Sequence, residues 1–260
     1  AVDLGVEEER RDPGQAGAVA GRGGVGAGGV VPAVVVRAGP ALVVGIECGV
    51  GIIHPCVQIG YDDALPLVDG GNEIFGQRLR PDGGQTGPDD FRLSGLGPDG
   101  DANYWAWTPD VAYNSVTGEY LVVWAGDDNT GSLVDNEFEV YGQRFEATTG
   151  AQIGVDLRLS DMGPDGDPTY DGAFPAAAYN SAADEYLVVW YGDDDTAPLV
   201  NDEGEVHGQR VDARGNQVGA DDFRLSDMGP DGDPAYDAAA PAVACSPAGN
   251  RCLAAWEGDD

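Results

Sequence analysis

The sequence contains no lysine: its 13 basic residues are all arginine, and they face 46 acidic residues for a formal net charge of −33. A surface of that sign cannot neutralise phosphates, which excludes nucleic acid and anionic lipid as partners. Without lysine a Walker-type phosphate loop is excluded as well. No uninterrupted apolar run reaches the ~20 residues of a membrane helix. The apolar part of the N-terminal region, residues 30–53, is broken by Pro32, Arg37, Pro40 and Glu47, so no membrane insertion is expected. Histidine is limited to His54 and His207, and no Ser-His or Cys-His arrangement can be drawn from them. Residues 1–60 have no Phe, Tyr, Trp, Ser, Thr or Asn, and Gly, Ala and Val supply more than half of them. Such a stretch has little from which to build a specific core, and it reads as a leader of uncertain structure.

What is present in excess is aspartate, 33 Asp against 13 Glu. Acid of this density suits either a high-salt surface or capture of divalent cations, and the short Asp carboxylate is the common ligand of loop-type calcium sites.

From residue 61 to 260 the chain repeats every 66 residues. Gly-Gln-Arg begins at Gly76, Gly142 and Gly208, Arg-Leu-Ser at Arg92, Arg158 and Arg224, and Trp124, Trp190 and Trp256 keep the period. So do Pro109, Pro175 and Pro241. Internal repetition at a fixed period decides the fold before any other signal. One unit holds four short segments, residues 175–179, 186–190, 205–211 and 223–226, each bounded by Gly, Asn, Asp or Pro. β-Branched and aromatic residues predominate in them, and no helical period runs through them. The Leu-Val-Val run predicts a strand buried on both faces. The expectation is an all-β, β-propeller-like array of four-stranded antiparallel blades. The 66-residue unit is longer than a common blade, and the excess fits an acidic loop between the second and third strands. The repeats start within a unit, on its third and fourth strands, and end just after a second strand.

The succession Tyr-Leu-Val-Val-Trp, acidic loop, Val-Tyr-Gly-Gln-Arg-Phe, then Leu-Arg-Leu-Ser over residues 120–160 resembles the tandem "VVW…GQR" repeats of large secreted or surface-anchored bacterial proteins. The resemblance covers residues 61–260 and implies an extracellular, propeller-like binding or structural array. It implies no catalytic residue.

Alignment of the units places Tyr113 and Tyr120 over Tyr179 and Tyr186, and over Cys245 and Cys252. A position pair that is Tyr/Tyr twice and Cys/Cys once reads as directly opposed across a hairpin. A Cys245–Cys252 disulfide is therefore predicted, worth about 2.5 kcal/mol by loop closure. It argues for an oxidising compartment and hence for a secreted or cell-surface protein. Cys48 and Cys56 receive no reading.

Four carboxylates recur at one spacing before each first strand: Asp161, Asp165, Asp167 and Asp171, then Asp227, Asp231, Asp233 and Asp237. With a central Gly allowing tight curvature, they can surround a calcium ion. The alternative is a solvated Asp-Gly-Asp turn that caps its own backbone. Only Asp99 and Asp101 remain in the first copy. A second acidic group, Asp127, Asp128, Asp135, Glu137 and Glu139, then Asp193 to Asp195 with Asp202, Glu203 and Glu205, reads as a solvated face. His207 replaces Phe75 and Tyr141 at its repeat position and reads as a strand residue. Tyr104, Trp105 and Trp107 lie where a sugar ring can stack, and the two Trp break the repeat; edge-strand packing is the alternative. These features make up a non-enzymatic, calcium-stabilised extracellular repeat domain for adhesion or filament assembly, whose partners are calcium, glycans or copies of itself. A carbohydrate-binding, lectin-like module is the alternative, and a glycan-active enzyme the more remote one.

Overall fold

A computed structural model describes Val36–Ala38, Ala41–Val43, Cys56–Asp62 and residues 72–99, 101–194 and 196–259. Among the described residues every regular element is a strand apart from one 3₁₀ turn, Pro247–Gly249. β1 (Val36–Ala38) and β2 (Ala41–Val43) form a small hairpin. β3 (Cys56–Asp62), β4 (Glu73–Leu79) and β5 (Gln85–Arg92) form a three-stranded sheet. Two four-stranded sheets follow, each a meander in sequence order. The first is β6 (Trp105–Asn114), β7 (Glu119–Asp127), β8 (Phe138–Glu146) and β9 (Gln152–Arg158). The second is β10 (Gly172–Asn180), β11 (Glu185–Asp193), β12 (Gly204–Asp212) and β13 (Gln217–Arg224). β14 (Ala238–Ser246) and β15 (Arg251–Gly258) make a closing pair. All strand pairings are antiparallel. No described helix is long and apolar enough to cross a membrane.

The sheets stand side by side with their first strands, β6, β10 and β14, packed on one another. The Leu-Val-Val run explains why. Side chains alternate across a strand, so Tyr120, Val122 and Trp124 of β7 enter a core with Ile74, Leu93 and Leu96 of the preceding sheet. Leu121 and Val123 enter a second core with Val188 and Trp190 of the following one. A strand between two sheets has no solvent face and needs no polar alternation. Trp124 and Trp190 are fully buried; each contributes about 3 kcal/mol or more to its core. β15 repeats the pattern without a third strand beside it, and there Leu253 is 73% exposed where Leu121 is buried. Among the described residues, no packing of β14–β15 on β3–β5 closes the row into a ring.

Both repeat signatures are structural. Gln143 and Gln209 sit at a register shift between third and fourth strands. The Gln209 Nε2 donates to the carbonyls of Arg210 (2.9 Å) and Val218 (3.4 Å), and its Oε1 accepts from the Asp222 amide (3.2 Å). The side chain thus replaces the ladder bonds that the bulge interrupts. The neighbouring Arg144 reaches the Ala213 carbonyl of the next unit at 2.5 Å and locks two sheets together.

The sheet β3–β4–β5 departs from the repeat. β3 takes the second-strand place, with Gly60 opposite Phe75 where Trp124 is opposite Tyr141. Nothing in its sequence repeats Leu-Val-Val-Trp, so the period does not reveal it. The boundary expected at residue 60 falls inside β3. Cys48, His54 and most of residues 1–60 lie outside the described residues. Cys245 and Cys252 are register partners on β14 and β15 and are joined as a disulfide.

Candidate functional site

The two long loops of each unit, second to third strand and fourth strand to the next first strand, meet at one end of the sheets. Arg158 organises that end in the second unit. Its Nη2 donates to Glu139 and Asp161, Nη1 to Asp165 (2.7 Å), and Nε to the Ser160 carbonyl (2.9 Å). The Ser160 hydroxyl donates to Glu139 in turn and accepts from the Val140 amide at 2.7 Å. Arg224 repeats this with Glu205, Asp227 and Asp231, and Arg92 with Glu73 and Asp99. Glu139 is buried, and burial pushes its carboxyl up to about 7 against the pull of Arg158 and Ser160.

The carboxylates read as calcium ligands each take partners within the protein. Asp161 and Asp165 turn to Arg158, Asp167 accepts from the Thr169 amide at 3.2 Å, and Asp171 accepts from the Phe138 amide of the neighbouring sheet at 3.1 Å. In the next copy Asp233 accepts from the Ala235 amide and Asp237 from the Gly204 amide. Among the described residues no three His, Cys, Asp or Glu side chains are arranged around a metal position. Two of the four carboxylates in each copy pair with a guanidinium, and that spacing is in the sequence: Arg158 stands three and seven residues before Asp161 and Asp165.

Nor is the second acidic group a solvated face throughout. Glu137 accepts from the amides of Val134 (2.9 Å) and Gly166. Gly166 needs its positive φ of 90° to present that amide. Asp127 is 0% exposed; its Oδ2 accepts from Asn136 N (2.9 Å) and its Oδ1 has no partner. Burial, with help from Asp135, Asp128 and Asp171, pushes it up to about 6 despite the Asn136 amide. Asp193 repeats that behaviour.

Beside Asp127 lies an aromatic platform. Trp105 and Phe138 are both register partners of Asp127, from β6 and β8. Their rings meet edge to face at 4.9 Å, Trp105 stacks on Trp107 at 5.9 Å, and Trp107 meets Phe174 at 5.2 Å. Phe174 sits at a bulge in β10 with φ 52° and is 44% exposed. All four are departures from the repeat. The equivalents of Trp105 are Asp171 and Asp237, those of Trp107 are Ala173 and Ala239, those of Phe138 are Asn72 and Gly204, and those of Phe174 are Thr108 and Ala240. The fold does without these rings elsewhere. Tyr104, by contrast, lies over Gly97 as Tyr170 lies over Gly163, a packing contact that repeats.

One residue on from Asp127, Asp128 lines a cleft of about 330 Å³ with Ser132, Tyr141, Asp156 and Arg158. The Tyr141 side chain is 4% exposed, yet its hydroxyl has no partner, and neither has Oδ1 of Asp128. Burial and the Glu73 and Asp128 carboxylates push Asp156 up to about 6, against a hydrogen bond from the Gly95 amide and the charge of Arg92. Burial raises the Tyr141 phenol as well, so it stays a neutral donor. His207, at the Tyr141 position of the next unit, is buried in β12 and its pKa is lowered by that burial.

No protein-family model and no curated protein matches the chain. Among solved structures it is similar to an N-acetylgalactosamine deacetylase from F. plautii in complex with blood group B trisaccharide, with TM-score 0.48, 13% identity and 78% of this chain covered. A thermostable family-43 glycoside hydrolase follows at TM-score 0.40, 16% identity and 74% coverage, and the Hadza microbial sialidase Hz136 at 0.39, 10% and 69%. The chain spans 58%, 70% and 39% of those proteins. All three are enzymes, which corrects the expectation of a non-enzymatic protein. At these scores the likeness assigns the chain neither a reaction nor a closed fold.

Proposed function

We propose that this protein binds carbohydrate on the platform of Trp105, Trp107, Phe138 and Phe174. One observation carries the reading: four aromatic side chains from three strands of two sheets converge at positions where the other repeats have Asp, Ala, Asn, Gly or Thr. A requirement of the blade core would recur with the period; this cluster does not. The apolar face of a pyranose ring covers roughly 60 Å² of an indole, which contributes about 1.5 kcal/mol. The side-by-side sheets joined at their first strands support a propeller-like arrangement, and the Cys245–Cys252 bridge supports export to an oxidising compartment.

A glycan array followed by calorimetry tests the reading. Wild-type protein binds, and Trp105→Ala weakens binding roughly tenfold, as loss of one stacking contact of about 1.5 kcal/mol requires. Undiminished binding by a folded Trp105→Ala, Trp107→Ala double variant would overturn it.

A further inference from the structure

We propose that two copies of this chain complete each other's sheets, with β14–β15 of one copy taking the place of β3 beside β4–β5 of the other. The product is a two-fold ring of four-stranded blades. The aromatic platform plays no part in it.

The two end sheets are complementary. β14–β15 supplies a first and a second strand, and β15 has no second neighbour among the described residues. β4 and β5 carry the third- and fourth-strand signatures, Gly76-Gln77-Arg78 and Arg92-Leu93-Ser94, and their sheet has three strands instead of four. β15 keeps the second-strand tryptophan as Trp256; β3, which fills the second-strand place beside β4, has none. The unpaired edge of β15 offers its backbone N–H and C=O groups to a strand of the third kind. β4 is the third strand whose neighbour lacks the repeat residues.

The pairing has a defined register. Leu121 stands opposite Arg144 and Leu187 opposite Arg210, while Trp124 faces Tyr141 and Trp190 faces His207. Carried on by the period, Leu253 falls opposite Arg78 and Trp256 opposite Phe75 of the second copy. In the single chain Val57 and Gly60 hold those two places.

Both halves show what separation costs. Leu253 is 73% exposed, whereas Leu121 is fully buried. Between β4–β5 and β7–β8 lies a gap walled by Arg78, Phe91, Leu93, Tyr120, Val122 and Phe145. In the next interface the residues one period on, Leu157, Leu159, Tyr186, Val188 and Val211, close around Leu121. Placed opposite Arg78, Leu253 of the second copy enters the first gap as Leu121 enters the second. An exposed leucine and an apolar gap at matching repeat positions are removed together, and burial of apolar surface drives the exchange.

The strand count fixes the stoichiometry. Each copy keeps two whole sheets, β6–β9 and β10–β13, and shares two composite ones with its partner. Two copies then give six blades, within the ~4–8 typical of such rings, whereas a chain closing on its own β4 would give three. Each contact is made twice about one axis, so no open edge is left to propagate. The charge of −33 per copy opposes association, and the dimer therefore tightens as salt screens it.

Sedimentation equilibrium of the full chain at micromolar concentration and physiological salt tests the proposal. The expected mass is twice 26.9 kDa. Leu253→Asp raises the dissociation constant about 100-fold or more, because the change enters the interface twice. Hydrogen exchange distinguishes this dimer from any other. Amides of β15 are protected in wild type and exchange in the variant, and amides of β3 do the reverse, since β3 pairs with β4 only in the single copy. Protection of β6–β13 in both shows that the variant is folded. A monomer overturns the proposal, and a monomer with a protected β15 overturns it in favour of pairing with the chain's own β4. Assemblies larger than two overturn the closed ring. A dimer indifferent to Leu253→Asp, or one whose β15 exchanges freely, overturns the interface.

Discussion

Lowering the pH from about 7 towards 5 is expected to stabilise this protein, the reverse of ordinary acid denaturation. The cause is a set of buried and half-buried carboxyls whose folded-state pKa values stand above their unfolded ones: Asp127, Asp156 and Asp193 at about 6, and Glu139 and Asp222 at about 7. The folded protein then binds more protons than the unfolded chain between about pH 4 and 7. Stability depends on pH as 2.303RT times the protons bound unfolded minus those bound folded, so it falls as pH rises across that window. Asp127 is the cleanest single case, being fully buried with an unpartnered Oδ1. A rise from 3.8 to about 6 corresponds to roughly 3 kcal/mol of destabilisation when the group is ionised, at 1.36 kcal/mol per pH unit. Asp127→Asn removes the charge and keeps an oxygen for the Asn136 amide. Part of the gain is offset by the unpartnered amide that replaces the carboxylate, leaving about 1–2 kcal/mol. For a chain of this size that is roughly 2–8 °C in melting temperature. Differential scanning calorimetry at pH 5, 6, 7 and 8 reads the effect. Wild-type Tm falls from pH 5 to pH 8, while Asp127→Asn melts above wild type at pH 8 and converges with it at pH 5. A wild-type Tm that rises over that range, or a variant that melts lower at pH 8, refutes the reasoning. Groups with lowered pKa, such as Glu146 at about 2 under the Thr148 and Thr149 hydrogen bonds, act oppositely and set the acid limit.

Two further outcomes are expected. Gln209→Ala orphans the Arg210 and Val218 carbonyls and the Asp222 amide at the β12–β13 bulge; a loss of about 2 kcal/mol or more appears as a lower urea midpoint at unchanged m-value. Calcium at millimolar concentration moves the Tm by less than about 1 °C relative to chelator, because Arg158 and Arg224 already engage Asp161, Asp165, Asp227 and Asp231. A calcium shift of several degrees refutes that placement of the loops.

What could be read from the residues follows one physical division. Period, strand order and the opposition of Cys245 and Cys252 were legible because hydrogen-bonded neighbours within one sheet lie at fixed offsets along the chain. Asp127 illustrates the limit. As one of a run of acids it reads as solvated, and only the sheets packed around it make it buried and partly orphaned. Phe138 and Phe174 were missed for a related reason, although each departs from its repeat position as visibly as Trp105 and Trp107. The departure shows in the sequence, but that four departures converge does not.

The sequence alone therefore determined an all-β repeat and its internal registers, since these rest on local alternation, turn residues and a 66-residue period. The tertiary structure decided how the acids are used. It directed Asp161 and Asp165 to an arginine, buried Glu139 and Asp127, opened the Tyr141 cleft, seated β3 in the second-strand place without a sequence signature, and gathered aromatics from β6, β8 and β10 into one platform. Contacts between sheets join residues 33 to 70 positions apart in the chain, as Phe138 with Asp171 and Arg144 with Ala213. No spacing rule within a strand encodes such contacts; they follow from how one sheet's surface fits the next.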